Sequence, residues 1–541
     1  MSHNTRKLIV NNIKLPTDAS IEEAFSVAES KLKKASVSVK SPSYSIYRKS
    51  IDARKKDDIK FVYSVCVKGE FGKISEKSLA IAGASLEKSE LPKAEFGNEI
   101  LEASPVIVGS GPCGLFAALM LAENGYRPIV LERGGSVTER VSEIEKFKKT
   151  RILNTETNIQ FGAGGAGTFS DGKLITRIND GMSSYVLEKF VEFGAPEEIL
   201  YLAKPHIGTD ILCGVVDRMI NRIEELGGEV RFHTKFLGAN FSSSKITEVY
   251  TSSGKINAGA LLLAVGHSAR DTYETLLSSG ISIEAKNFSV GMRIEHLCET
   301  IDEGMYGKMA GNSALGHAEY ALSYNTKERG VYTFCMCPGG EVVAAASECG
   351  GVVVNGMSAH KRDGRNSNSA VVCSIFKEDY GSNPLSAIEF QRKIERAAFK
   401  AGGEDYSAPM ITFGDFADGK ISREPSRVIP TYMGGEGVKL ASPYEYLPTN
   451  VCDLIKNAIF DFDKKIHGFA DRDAVLTGPE TRTSAPLRIL RSNETRLALG
   501  FENFYPAGEG AGYAGGITSA AIDGVRTALA MMKKYKSKTD A

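Results

Sequence analysis

Apolar and polar positions recur along the chain with periods that mark its elements. Leu8, Ile9 and Val10 form an apolar run that predicts a strand, residues 21–34 repeat apolar positions at helical spacing, and residues 59–65 alternate like a half-buried strand. Between the last two, residues 48–58 carry a charge run that reads as a solvated turn or as a docking surface. A linker rich in Lys and Glu, residues 87–102 with Pro92 inside it, closes this first small α+β unit, residues 1–95.

The character changes at Pro105. Val106, Ile107 and Val108 read as a buried strand, residues 115–123 as a helix stopped by Asn124 and Gly125, and residues 128–131 as a second strand, which together make a βαβ unit. Residues 210–226 then predict an amphipathic helix ending at Gly227 and Gly228, residues 229–236 a strand, and residues 261–265 another apolar strand. Residues 291–472 alternate strands and helices and predict an inserted domain. From Phe504 the strand, glycine-rich turn and long helix through Met532 return to the style of the βαβ unit.

Composition narrows the function classes. Lys and Arg number 66 and Asp and Glu number 66 in 541 residues, so no net field favours nucleic acid or an anionic membrane. No apolar run approaches the ~20 residues of a membrane span, and the short apolar start does not resemble a signal peptide. A cytoplasmic protein is expected. The nine cysteines are scattered and odd in number, which suits a reducing compartment. Glycine is the excess: 55 residues, about one in ten against the usual ~7%, gathered in a few clusters where chemistry is expected.

The first cluster is Gly109, Ser110, Gly111, Pro112, Cys113 and Gly114, set between the strand and the helix. A first glycine permits the tight turn, a second lets backbone approach a pyrophosphate, a third lets helix and strand pack closely, and the helix N-terminus attracts phosphate. Glu132 ends the next strand 18 residues after Gly114, where a carboxylate can accept from an adenosine ribose. An acid there disfavours a 2′-phosphate. These features in order predict a dinucleotide site, and the fingerprint is common to FAD and NAD.

The second cluster covers residues 161–173, with five glycines in residues 162–173. So many glycines are costly to order unless backbone passes close to a pyrophosphate or a flavin ring, the alternative being a flexible lid. Gly164, Gly165, Thr168, Ser170, Asp171 and Lys173 are its candidate contacts. Cys335 and Cys337 would share one face of a strand. A structural or substrate-facing role fits them better than a redox pair, because the usual redox spacing is Cys-x-x-Cys. No His, Cys or Asp constellation has metal spacing. His206 is expected to cap or pack, with a cofactor contact as the alternative. Arg482 and Arg488 are candidates for an anionic substrate or for a surface salt bridge.

Several segments then converge on one resemblance. Glu132-Arg133-Gly134 resembles the second-strand ending of FAD domains of the glutathione-reductase-like class, and Ala264-Val265-Gly266 resembles the Ala-Thr-Gly ending that backs the same domain, with Val in place of Thr. Phe236 matches an adenine-contacting strand or, equally, an ordinary core strand. Gly508 and Glu509 match the segment that touches the ribityl chain. Gly516 and Ile517 open the helix whose N-terminus faces the flavin pyrimidine, where its dipole stabilises the charge left by reduction.

From Pro105 to its end the chain is similar to bacterial FAD-dependent dehydrogenases called NAD(FAD)-utilising dehydrogenases, and the N-terminal unit fits them too. The resemblance implies FAD, a Rossmann-like FAD domain over residues 103–290 and 473–541, an inserted α+β substrate domain over 291–472, and hydride transfer at flavin N5. A small organic molecule or NAD(P)H would be the other party. No second dinucleotide fingerprint is present, so NAD(P)H would have to share the cleft. A flavin-containing scaffold with an N-terminal docking unit is the alternative.

Overall fold

The computed structural model describes residues 6–72, 74–87, 92–174, 181–422 and 424–537, and residues 88–91 of the expected linker lie outside them. Strands Val39–Asp52, Lys60–Phe71, Arg6–Pro16 and Ala84–Leu86 form, in that order, a four-stranded antiparallel sheet. Helix Ile21–Lys34 begins with a capping box between Ser20 and Glu23 and buries Ala24, Ala28 and Leu32, a stripe at i, i+4, i+8. Half of the charged run is strand rather than turn, because Lys60–Phe71 supplies ladder partners as far as Asp52↔Lys60. The run also docks: Lys49 N–H donates to Tyr201 O at 2.7 Å, Ala203 N–H donates to Lys49 O at 2.8 Å, and Lys56 Nζ reaches Gly304 O at 2.6 Å.

Five parallel strands follow in the spatial order Phe504–Pro506, Ala260–Leu263, Pro105–Val108, Ile129–Leu131 and Glu229–Arg231. Every residue of Pro105–Val108 and Ala260–Leu263 is buried, as a parallel sheet covered on both faces requires. Helix Pro112–Glu123 buries all of residues 113–122, so it is an interior helix and not an amphipathic one. It packs on helix Ile517–Lys534 so closely that a Cβ on Gly524 would sit 2.1 Å from Cys113 O.

Two expectations change here. The strand over residues 229–236 is broken. The chain turns at His233, φ 52°, because His233 N–H donates to Gly134 O (3.0 Å) and Thr234 N–H to Glu132 O (2.8 Å) in place of ladder partners. Phe236–Ala239 then enters a separate antiparallel sheet with Glu248–Thr251 and Gly254–Asn257. Strand Val475–Glu480, placed by sequence after the insertion, pairs with Phe288–Leu297 and Ala408–Thr412. The inserted sheet therefore runs from Phe288 to Glu480. Its seven strands lie in the order Ser323–Asn325, Gly330–Cys337, Asn366–Ile375, Phe288–Leu297, Val475–Glu480, Ala408–Thr412 and Val438–Leu440. Among the described residues no helix is long and apolar enough to cross a membrane.

Candidate functional site

A cleft with about 1700 Å³ of free space, its mouth included, opens at the carboxyl ends of the parallel strands, where open α/β sheets bind their ligands. Gly109, Ser110, Gly111, Pro112 and Cys113 form its floor, with Glu132, Arg133, Phe236, Ala264, Val265 and Gly266 on one side. Gly165, Ser170, Lys173, Glu509, Gly516 and Ile517 continue it, and the far end is closed by Cys335 and Glu480 of the inserted sheet, by Arg482 and Thr483 just after its strand Val475–Glu480, and by Asn355 of a separate two-stranded sheet.

The glycines of the site fall into two kinds. A Cβ on Gly114 would lie 1.9 Å from Gly109 O, and one on Gly109 would lie 2.4 Å from Ala264 O, so both are required by packing of helix and strands. Gly515 and Gly516 would meet nothing within 4 Å, and Gly111 only Gly165 Cα at 3.8 Å, yet all three line the cleft. Their missing side chains leave room for a ligand. Helices Pro112–Glu123 and Ile517–Lys534 both start there without a side-chain cap, at N-caps Gly111 and Gly516, leaving N–H donors free for phosphate and for a second acceptor. The residues present thus fit an extended dinucleotide.

Glu132 holds three segments together. Its Oε2 accepts from Ser110 N–H (3.1 Å) and Ser110 Oγ–H (2.6 Å), and its Oε1 accepts from Gly134 N–H and Gly162 N–H, both at 2.9 Å. The expected ribose acceptor thus spends its lone pairs on its own chain, because the second glycine cluster folds back over it. Arg140, absent from any motif, anchors that cluster: fully buried, it donates to the carbonyls of Asn158 (3.1 Å), Ile159 (2.9 Å), Ala163 (2.5 Å) and Gly165 (3.0 Å).

Seven sequence candidates do not line the cleft. Gly114 packs as described, and Gly508 donates its N–H to Asp523 at 2.7 Å. Gly164 donates to Ser110 O at 3.0 Å and, with Thr168, packs beneath the loop, where a Cβ on Gly164 would meet Thr168 Oγ1 at 2.1 Å. Asp171 turns away toward Ser358 and Arg362 and pairs with Lys173 Nζ at 3.0 Å. Those cations hold its carboxyl far below the usual range despite burial. His206 stacks on His360 with centroids 5.3 Å apart, a packing role. Arg488 pairs with Glu284 at 3.6 Å.

Arg482 is buried rather than on the surface, fixed by Glu395 (Nη2 to Oε2, 3.2 Å) and by Ser347. Glu395 also grips Arg270 through two 2.8 Å bonds. His267, missed in the sequence although it directly follows the Ala264-Val265-Gly266 ending, lines the cleft beside Ser268 at 2.8 Å. Burial and the charges of Arg482 and Arg270 push it down to about 3, so the imidazole is neutral. Glu509 moves the other way: burial raises it to about 7, against the pull of Lys286.

The sequence signature of the FAD-dependent protein C-terminal domain-like family matches residues 287–483, and that of the FAD binding domain matches residues 102–157. A domain of unknown function matches residues 8–68. A Clostridium beijerinckii protein described as uncharacterized is 46% identical over 536 residues, covering 97% of this chain and 98% of its own. The chain belongs to this FAD-dependent protein family. The FAD binding domain signature contains the Gly109 turn and Glu132, and the C-terminal signature contains all seven strands of the inserted sheet. Solved structures similar to this flavoprotein include L-proline dehydrogenase from P. horikoshii, with TM-score 0.35, 12% identity, and 82% and 96% of the two chains covered. L-amino acid deaminase from Proteus vulgaris has TM-score 0.34, 9% identity and covers 82% and 94%.

Proposed function

We propose that this flavoprotein is an oxidoreductase in which FAD lies along the cleft from Glu132 to Ile517 and an organic substrate enters at the end closed by the inserted sheet. The observation that carries the reading is the cleft's construction: two uncapped helix N-termini and three glycines with no packing reason of their own all face the same space. Bound there, FAD would supply two-electron hydride chemistry at N5. Gly111 and the start of helix Pro112–Glu123 would receive the pyrophosphate, and Gly516 with Ile517 would direct N–H groups at the flavin pyrimidine.

The chain's own groups then divide the remaining tasks. Glu509, raised to about 7, can hold or release a proton near neutral pH at its carboxyl oxygen. Neutral His267 and Asn355 offer hydrogen bonds without charge. Arg482 presents a cation whose position is fixed by Glu395. NAD(P)H as reductant would have to occupy the same space, so direct oxidation of a small organic substrate is the favoured form. Anaerobic mixing of the FAD-loaded protein with organic donors, NADH and NADPH tests this. Bleaching of the flavin absorbance by an organic donor at a catalytic rate supports the reading, and bleaching by NAD(P)H alone would replace it with a pyridine-nucleotide reductase. A flavin that no donor reduces would favour FAD held as a structural group.

A further inference from the structure

Strand Gly330–Cys337 does not run regularly into the cleft. Its pairing with Asn366–Ile375 slips between Phe334 and Cys337, and Cys335 takes φ 45°, a left-handed conformation uncommon for a residue with a side chain. The expected shared face of Cys335 and Cys337 is therefore lost: the bulge turns Cys335 to the cleft wall and leaves Cys337 buried behind it. Bulges beside functional sites commonly re-aim one side chain in this way.

The surroundings of the re-aimed thiol are cationic and donor-rich. Cys337 donates its S–H to Cys335 O at 3.3 Å. Arg293 donates to Cys335 O at 2.9 Å and comes within 3.9 Å of Cys337 Sγ. Lys173 also lines the cleft, and its buried Nζ has an ion-pair partner, Asp171, but no hydrogen-bond acceptor. The opposing charges are committed elsewhere: Glu480 to Arg293 at 2.6 Å and Asp171 to Arg362 at 3.0 Å. Glu509 stands across the cleft as a carboxyl raised toward neutrality.

We propose that Cys335 is a reactive thiolate in the wall of the flavin cleft, facing the oxidised flavin as an electron-pair donor, and that Cys337 is the positioning residue whose S–H, given to the Cys335 carbonyl, holds the bulge that presents it. The neighbouring Cys337 thiol and the charges of Arg293 and Lys173 act to lower Cys335, against burial and Asp171, while Cys335 and burial raise Cys337. The flavin-facing half of the inference rests on the placement of FAD in this cleft, and the thiolate half does not.

Both halves are testable. Carboxamidomethylation of Cys335 by iodoacetamide, followed peptide by peptide across pH in FAD-free protein, should reach half its maximal rate below the ~8.5 of a free thiol. Exposed Cys349 is the internal reference. Cys337→Ala should slow Cys335 at neutral pH by about tenfold or more, one pH unit in midpoint, and Cys337→Ser, which keeps a donor, should restore much of the rate. A Cys335 midpoint at or above that of Cys349 would overturn the thiolate. FAD-loaded protein should carry a broad absorption at longer wavelength than the flavin bands, lost in Cys335→Ser at equal FAD content and lost on acidification. Full FAD loading without that band, in protein whose Cys335 alkylates early, would overturn the flavin-facing half. A chain that takes up no FAD would overturn the cofactor placement, and alkylation would still decide the thiolate.

Discussion

Ser110 gives both of its donors to one oxygen of Glu132, the N–H at 3.1 Å and the hydroxyl at 2.6 Å. The second glycine of the Gly109 turn, Gly111, is thereby set beside the end of the neighbouring strand. The other oxygen of Glu132 accepts from Gly134 and Gly162 at 2.9 Å each, so one buried carboxylate registers three loops against one another. A group with about four acceptor directions, all used, is worth most when every partner is a backbone or charge-assisted donor.

Replacing Glu132 with Gln keeps the volume and turns one acceptor into a donor aimed at other donors. Loss of hydrogen bonds to a charged group costs ~1.5–3 kcal/mol, so FAD affinity should fall by roughly 10- to 100-fold, with Ser110→Ala milder. Flavin fluorescence titration of refolded FAD-free protein measures both. Unchanged affinity in the Gln variant would show that the three loops hold their places without the carboxylate.

Gly111 and Gly114 should separate binding from folding. A valine at 111 has open space and should fold normally but project into the pyrophosphate path, giving FAD-free protein. A valine at 114 would press on Gly109 O, 1.9 Å from its Cβ, and overpacking of this kind costs ~1–3 kcal/mol or more. Thermal unfolding of the FAD-free forms should therefore show Gly111→Val near the wild type and Gly114→Val well below it. The reverse order would misassign both glycines.

What sequence makes readable here is what is contiguous. The Gly109 turn, its flanking strand and helix, Glu132 and the start of the last helix each need only local order, and all are found where the pattern puts them. Asp171 could not be read that way, because its partners Ser358 and Arg362 stand 187 and 191 residues along the chain. Arg140 sits in a helix with no motif, and its value lies in carbonyls of a loop whose fold no periodicity describes. Strand Val475–Glu480 is buried at every residue, a pattern that suits either sheet, so only pairing decides its unit. Cys335 turns to the cleft through a slip against another strand, which a period of two cannot foresee.

Glu395 carries two cations at once, Arg270 and Arg482, and burial leaves neither any water to turn to. Removing one member of such a group costs ~3–5 kcal/mol where a partner stays charged and unpaired; Arg270 keeps Glu348 at 2.6 Å, so the loss falls on Arg482. Glu395→Gln should lower the thermal transition of FAD-free protein by several degrees and should free Arg482 to move in the cleft. An unchanged transition would mean that the two guanidinium groups find other acceptors.

Glu509 predicts a pH dependence with a definite sign. Burial raises it from 4.5 to about 7, so the folded chain keeps a proton that the unfolded chain releases as pH rises. Its contribution to stability is complete below 4.5 and is lost as pH climbs through about 7. Glu509→Gln, neutral at every pH, should flatten the decline of thermal stability across that window in FAD-free protein. Parallel pH profiles for the two proteins would place the carboxyl in water.

The start of the last helix gives the test that bears on redox chemistry alone. Gly516 is its N-cap, with extended backbone and nothing within 4 Å of a Cβ, so aspartate can be accommodated without strain. As an N-cap, aspartate should strengthen the helix, since it accepts from the first free N–H groups. That same acceptance takes those donors from the flavin and adds negative charge where reduction deposits more of it. Helix-end effects are worth ~0.3–1 kcal/mol when exposed and up to ~2 when partly buried. With 30 mV equal to ~1.4 kcal/mol for two electrons, the midpoint potential of FAD-loaded Gly516→Asp should drop by a few tens of millivolts at most while thermal stability holds or rises. Spectroelectrochemical and thermal titrations read the two effects separately. A stable variant with an unchanged or raised potential would place the flavin away from this helix.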